Sequence, residues 1–206
     1  LARLSSGQNA WSLAELLNLH LAHSLPLLTG SVTSDNHPNG KNWKATPSPK
    51  VLENMAQSFH VLGGQGANPF NHDTYSTTSL NDNTWHHVAA TYDANGGTNN
   101  LKIYVDGVLE NQATKTGSFT ASNLTIGSNG SNNTENFNGN IDDVSIWSTA
   151  LSQSQIQSYM STPPTGDETS LVGYWNMNEG SGTTLTDQTS NGNDGTISGA
   201  SWSTDV

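Results

Sequence analysis

The apolar residues of this chain change their spacing at about residue 73, and that change constrains the fold more than any other feature. In NTWHHVAATYD, residues 83–93, the apolar residues Val88, Ala90 and Tyr92 occupy alternate positions. A period of two is typical of a strand that buries one face. Strand patterns recur in LKIYVDGVLE, SFTASNLTIGS (118–128), GNIDDVSIW (139–147) and two later segments, 171–177 and 195–202. We therefore predict an all-β, antiparallel fold.

Two local signals add detail to this prediction. Asp106-Gly107 lies between two short strand patterns and predicts a two-residue hairpin turn, in which both residues take positive φ. Ser152 and Gln155 form a capping-box pattern, which predicts a short helix near residues 152–160.

Residues 1–72 differ from the remainder in charge and in pattern. They carry a net charge of +1, whereas residues 73–206 hold 2 basic and 14 acidic residues. Within residues 1–72, the segments 11–28 and 50–62 have apolar residues at helical spacing. We leave 1–72 unassigned as a domain and expect helical content there.

Composition excludes several classes of protein. A net charge of -11 argues against nucleic acid as a partner, because nucleic-acid binding needs a basic surface. The absence of Cys excludes disulfides and thiolate metal sites. The sequence contains no run of 18 or more apolar residues, so it does not predict a membrane-spanning helix. The chain begins at Leu1 without a signal-peptide pattern, and we interpret it as a fragment of a longer protein.

Four motifs in order resemble the laminin-G-like jelly roll of the concanavalin A-like lectin/glucanase superfamily. They are NTWHHVAATYD, LKIYVDGVLE, LTIGS and GNIDDVSIWSTALSQSQIQ, and together they cover roughly residues 80–160. The resemblance implies a two-sheet antiparallel sandwich. It also implies an extracellular module within a larger adhesive or carbohydrate-active protein. We interpret the chain as a fragment of a secreted or surface protein of bacterial type.

The segment 171–204 resembles the opening of such a domain, through LVGYWNMNEGSGT and NGNDGT. Residues 73–162 would then be the closing half of a sandwich, and 163–206 a linker followed by further strands. Three explanations stay open: a truncated tandem repeat, a permuted domain that 171–204 completes, or a divergent N-terminal half. Closure favours the second, because an incomplete sandwich exposes long strand edges. It predicts that 171–177 pairs with the strand 141–147.

Two adjacent carboxylates, Asp142 and Asp143, interrupt the apolar pattern of the predicted strand 141–147. Alternation places Asp142 on the same face as Val144 and Ile146, which we expect to be buried. A buried carboxylate must be paired, hydrogen-bonded or bound to a metal. In the resembled superfamily an Asp at this place often holds a structural calcium ion, and Glu179 is a candidate second ligand. The alternative is that Asp142 caps backbone N–H groups or lies at a wet sheet edge.

The motifs favour binding over catalysis. Glucanases of this fold carry a Glu-x-Asp-x-Glu run, which this sequence lacks. His86 and His87 lie in a packed strand pattern with no third ligand at a metal-site spacing. Trp147, on the face opposite Val144, is our candidate sugar-stacking residue.

We therefore expect a non-catalytic, calcium-stabilised module that binds a polysaccharide, the extracellular matrix or a glycoprotein and adjoins other domains of the same chain. The alternative is an architectural spacer without a ligand. A third, weaker hypothesis is a glycoside hydrolase.

Overall fold

The structure, a computed structural model, describes residues 2–7, 60–62, 72–78, 80, 82–115, 124–127, 137 and 139–204. These residues form short antiparallel strands and one helix, as the sequence predicts for a concanavalin A-like sandwich. The strands are β1 Ala2–Gly7, β2 His60–Leu62, β3 His72–Tyr75, β4 Asp82–Tyr92, β5 Leu101–Val105, β6 Val108–Ala113, β7 Gly139–Asp142, β8 Val144–Trp147, β9 Leu171–Trp175, β10 Thr184–Leu185 and β11 Gly195–Thr196. The helix α1 is Gln153–Ser161.

The largest sheet described has five strands in the order β6-β5-β4-β1-β7, all antiparallel to their neighbours. Strand β1 lies between β4 and β7, with Ala2 opposite Val88 and Arg3 opposite Asp142. Residues 2–7 are therefore an internal strand of the main sheet, which their sequence pattern did not indicate. β2 pairs with β3, β8 with β9, and β10 with β11.

Alternation along β4 separates two apolar clusters, as predicted. Val88, Ala90 and Tyr92 face an inner cluster, and Ala89 faces an outer cluster beneath α1. The other buried members of the inner cluster are Leu80, Leu101, Ile103, Val105, Val144, Ile146 and Trp175. The other buried members of the outer cluster are Tyr104, Trp147, Leu151, Ile156, Leu171 and Tyr174.

The helix and the β5–β6 hairpin form as their local signals predict. The Ser152–Gln155 capping box is present, and Ile156 is fully buried in the outer cluster. Asp106 and Gly107 both have positive φ, at 49° and 71°. The side-chain amides of Gln153 and Gln157 donate to the Gly107 carbonyl at 3.0 and 2.9 Å, which fastens the helix to the hairpin turn.

The ladder that a permuted domain requires is present. Strand β9 pairs antiparallel with β8, so that Val144 lies opposite Trp175 and Ile146 opposite Gly173. The Trp175 ring enters the inner cluster, and Tyr174 on the other face enters the outer cluster. The division of the chain into domains stays a prediction.

Several element predictions are wrong or lie outside the described residues. His60–Leu62 is a strand and not the end of a helix over 50–62. The strand predicted over 118–128 is not seen at 124–127, where the backbone forms a bend, and the rest of that segment lies outside the described residues. The strand predicted over 195–202 is reduced to Gly195–Thr196. The predicted helix over 11–28 also lies outside the described residues. Within the described part of the chain, no helix is long and apolar enough to cross a membrane.

Candidate functional site

The carboxylate of Asp142 lies on a different face from the one its sequence spacing predicts. Asp143 has a φ of +53°, which ends β7 and begins β8 as a separate strand. Ile141 packs against the inner cluster, so alternation along β7 directs Asp142 to the opposite side. The left-handed residue resets the alternation, and for that reason Val144 and Ile146 still reach the inner cluster. Asp142 is nevertheless nearly buried, with 8% of its surface exposed.

Tyr174 links the acidic pair to the outer cluster. Its hydroxyl donates to Asp143 Oδ1 at 2.7 Å. Burial raises the pKa of Tyr174 well above its usual value of 10.0, and the hydrogen bond and negative charge of Asp143 raise it further. The charge of Asp142 acts in the same direction. The two carboxylates therefore lie beside a tyrosine that stays protonated at physiological pH.

Glu179 lies in the loop that follows β9. Its two carboxylate oxygens differ in their hydrogen bonding. Oε1 accepts a hydrogen bond from the Thr186 backbone N–H at 2.8 Å. Oε2 is buried and has no hydrogen-bond partner among the described residues. A buried carboxylate oxygen without a donor is costly, so a cation or a hydrogen-bond donor at this place would be stabilising.

The predicted calcium ligands can be compared with this geometry. Calcium takes six to eight oxygen ligands, many of them backbone carbonyls. The described residues contain no group of three or more His, Asp or Glu side chains that could hold a metal ion. Glu179 fits the role of a ligand through its orphaned Oε2. Asp142 lies beside Tyr174 and Asp143, and its role as a ligand stays a prediction.

Trp147 packs inside the fold. It has 8% of its surface exposed and belongs to the outer cluster beneath α1. Its indole N–H donates to Ser145 Oγ at 3.0 Å, and its ring centroid lies 4.7 Å from that of Tyr159. A sugar could stack on Trp147 only if the helix moved, so this role stays a prediction that the packing does not favour.

Sequence reasoning missed the role of Asp187, which fastens the loop between β10 and β11 to β9. Asp187 Oδ1 accepts from the backbone N–H groups of Tyr174 and Thr189, each at 3.0 Å. Oδ2 accepts from the Thr189 hydroxyl at 2.8 Å and from the Asn193 N–H at 2.9 Å. Burial alone would raise the pKa of Asp187, but these donors outweigh it and hold the pKa below its usual value of 3.8.

The neighbouring Asp194 also has a structural contact. Its Oδ1 accepts from the Asp187 backbone N–H at 2.9 Å. The turn in which Asp187 accepts from the Thr189 N–H had a signal in the sequence, the Asp-x-Thr spacing at 187–189. Asp side chains commonly accept a hydrogen bond from the backbone two residues further along the chain.

Two residues of β6, Glu110 and Asn111, contact β3 and the loop that follows it. Glu110 Oε2 accepts from the backbone N–H groups of Thr77 and Thr78 at 2.6 and 2.9 Å. The Asn111 side-chain amide donates to the Tyr75 carbonyl at 3.1 Å. These contacts join β3 and the loop after it to β6. The Tyr75 side chain is 49% exposed.

Comparisons with known proteins agree with this fold. The Laminin_G_3 family model, described as the concanavalin A-like lectin/glucanases superfamily, matches residues 36–157. The match confirms the resemblance seen in the sequence and begins well before residue 80.

Two similar proteins place that match in context. A crystal structure of a protein from Bacteroides ovatus, provisionally described as carbohydrate binding, matches with a TM-score of 0.61 and 20% identity. It covers 95% of this chain and 50% of that one. The Rattus norvegicus protein called sushi, von Willebrand factor type A, EGF and pentraxin domain-containing protein 1 is 32% identical over 96 residues. That alignment spans 42% of this chain and 3% of the rat protein.

Proposed function

We propose that this chain, which belongs to the laminin G-like family of the concanavalin A-like lectin/glucanase superfamily, is a non-catalytic carbohydrate-binding module. The observation that carries the proposal is the match of that family model to more than half of the chain. The description of the Bacteroides ovatus protein as carbohydrate binding supports it, although at 20% identity the likeness concerns the fold.

A binding role, rather than a catalytic one, is supported by how the carboxylates are used. Glu168 and Asp187 each accept hydrogen bonds from two backbone N–H groups. Such contacts stabilise the ionised form and fix loops. They do not favour the raised pKa that a general acid needs. A retaining glycosidase would place two carboxyl groups about 5 Å apart on either side of the scissile bond.

We also propose that the module works outside the cell as part of a longer protein that carries other domains. The acidic composition and the lack of Cys are compatible with a bacterial exported protein. The rat relative, whose name lists several domain types, is much longer than this chain, which aligns with 3% of it.

A calcium ion bound by Glu179, with Asp142 as a second candidate ligand, remains part of the proposal. The bound ion would supply positive charge to the orphaned Glu179 oxygen and so stabilise the loop after β9. Saturating calcium is expected to raise Tm, and a chelator to lower it, because an ion at about 100 times its Kd adds about 2.7 kcal/mol of stability.

Variants make the calcium test specific. Glu179→Gln should abolish the calcium-dependent shift in Tm, whereas Asp167→Asn, at an exposed residue, should preserve it. Equal Tm values of the wild type with calcium and with chelator would refute the calcium site and leave the carbohydrate proposal standing.

The direct test of the proposed function is a glycan array probed with the full chain. Saturable binding to a defined polysaccharide or glycoprotein glycan would support the binding module. An array without saturable binding would refute it and favour the architectural spacer.

A further inference from the structure

We infer that residues 165–204, which we call the closing segment, form an exchangeable unit that can dock on strand β8 of a second copy of this chain. Within one chain the closing segment completes the sandwich of that chain. Supplied by a second copy, it completes the sandwich of that copy in the same way and so links two chains. The closing segment lies outside residues 36–157, which the family model matches, although both apolar clusters use its side chains.

Strand β8 offers the closing segment a specific docking surface. The ladder between β8 and β9 brings Trp175 into the inner cluster, and Leu171 and Tyr174 into the outer cluster. All three side chains are buried. The Tyr174 hydroxyl donates to Asp143 Oδ1 at 2.7 Å, which is a hydrogen bond to a charged acceptor. Added strands are recognised in this way, because the ladder gives affinity and the side chains on the two faces give specificity.

The closing segment is also extensively bonded to itself. Asp187 holds β9 to the loop between β10 and β11 through the four hydrogen bonds described above. The indole N–H groups of Trp175 and Trp202 donate to the carbonyls of Asn193 and Gly182, each at 3.0 Å. All of these partners lie within residues 165–204. The segment therefore docks as one unit and not as a bare strand, which lowers the entropy cost of ordering it on β8.

The connector between α1 and the closing segment is two residues long. The Thr162 N–H still bonds to the last turn of α1 at 2.9 Å, and the Thr165 N–H already bonds to Glu168 Oε1 inside the segment at 2.7 Å. Pro163 is exposed and Pro164 is partly exposed. Neither proline has an N–H group to donate. The affinity of the segment for β8 therefore depends on the interface and not on the connector.

The effective concentration of the closing segment determines which copy it closes. A short connector presents the segment to its own β8 at a concentration of about 1 mM, so intact chains at micromolar concentration close on themselves. Exchange competes where copies are held close together at a similar local concentration. Cutting the connector removes the advantage of the chain's own segment and makes exchange measurable at low concentration.

The experiment uses the full chain with a site-specific protease sequence inserted between Pro163 and Pro164. The folded protein is cut, and we expect both pieces to elute together in gel filtration at micromolar concentration with an unchanged circular dichroism spectrum. Cut protein is then mixed with an equal amount of cut protein labelled with heavy nitrogen. Native mass spectrometry should show that half of the complexes pair a closing segment with the remainder of the other copy.

Two variants test whether the β8–β9 interface carries the association. Tyr174→Phe removes the donor to Asp143 and should weaken the association of the cut pieces about tenfold. Asp167→Asn, at an exposed residue of the same segment, is the matched control and should stay within about twofold of the parent protein. Gel filtration over a dilution series measures both effects, and the Tm of each uncut variant checks that it folds.

The unmodified chain gives an independent measurement. Concentrated to about 1 mM, the effective concentration of the connected segment, it should contain dimers that light scattering detects. A purely monomeric protein at that concentration would contradict exchange, whether or not the variant with the protease sequence folds.

Three results with the cut protein would overturn the inference. Pieces that separate as soon as the connector is cut would show that the interface does not hold the segment. Pieces that stay together but form no mixed pairs during a day of incubation would show that the segment does not pass between copies. Equal association of Tyr174→Phe and Asp167→Asn would show that the contact with Asp143 does not contribute. Each result leaves the proposed glycan binding standing, because the glycan array tests that function separately.

Discussion

Replacing Asp187 by Asn should destabilise the protein more than any other single change of a carboxylate in the loop it fastens. Asp187 is 6% exposed, and its carboxylate accepts four hydrogen bonds. An Asn oxygen can keep the two bonds at Oδ1. Its NH2 group would then face the Thr189 hydroxyl and the Asn193 N–H, which are both donors. Two lost bonds to a charged acceptor cost about 1.5–3 kcal/mol each, so the expected loss is about 3–6 kcal/mol.

Urea unfolding followed by tryptophan fluorescence measures this loss. Trp175 is a suitable reporter, because its ring is in the inner cluster and its indole N–H donates to the Asn193 carbonyl at 3.0 Å. Asp167→Asn is the matched control on an exposed carboxyl, and it should change the free energy of unfolding by less than about 0.5 kcal/mol. If Asp187→Asn lost no more stability than Asp167→Asn, the proposed anchoring role of Asp187 would be refuted.

The same residue predicts a pH dependence with a definite sign. Because the pKa of Asp187 is lowered in the folded state, its contribution is fully present above the usual value of 3.8. The contribution is lost as the pH falls from about 3.8 through the lowered folded-state pKa. Urea titrations between pH 7 and pH 3 should therefore show a steeper loss of stability for the wild type than for Asp187→Asn. Parallel curves would contradict this assignment.

The remaining predictions concern Tyr174 and Gly166. Tyr174→Phe removes the donor to Asp143 and should cost about 1–3 kcal/mol in urea unfolding; an unchanged midpoint would argue against that bond. Because the pKa of Tyr174 is raised in the folded state, its stabilising contribution is present below pH 10 and lost as the pH rises toward the folded value. Tyr174→Phe should therefore unfold less readily than the wild type on alkaline titration above pH 10, relative to its own stability at pH 7. Gly166 has a φ of 105°, and a Cβ there would lie 2.2 Å from the Gln188 carbonyl oxygen. Gly166→Ala should thus lower stability by more than about 2 kcal/mol, whereas a Tm within 2 °C of the wild type would show that the loop can shift.

Features set by local chemistry could be predicted from the sequence. The Asp106-Gly107 turn and the Ser152–Gln155 capping box each depend on a few adjacent residues whose backbone preferences are strong. The faces of β4 followed from simple alternation, since nothing interrupts that strand.

Features set by a single backbone reversal or by distant partners could not be predicted. Asp143 adopts the left-handed conformation in the middle of a strand-like run, and Asp only tolerates that conformation, so its identity gives no clear signal. For this reason, the prediction that Asp142 shares a face with Val144 and Ile146 was wrong. β1 joins the main sheet although its sequence, ARLSSG, lacks strong strand formers, because β4 and β7 provide partners on both sides.

The surroundings of the candidate site residues could not be predicted from the sequence either. The orphaned oxygen of Glu179 depends on how the loop after β9 folds back to Thr186. The covering of Trp147 by α1 also arises from tertiary packing. The sequence could indicate which residue types were available for binding, but their accessibility is a property of the folded chain.

The most direct test of the account is calorimetric titration of the full chain with the polysaccharide that binds best on the array, followed by an assay for newly formed reducing ends. We predict saturable heat of binding with no increase in reducing ends after prolonged incubation. The absence of saturable binding, or the release of reducing ends in proportion to the protein concentration, would contradict it.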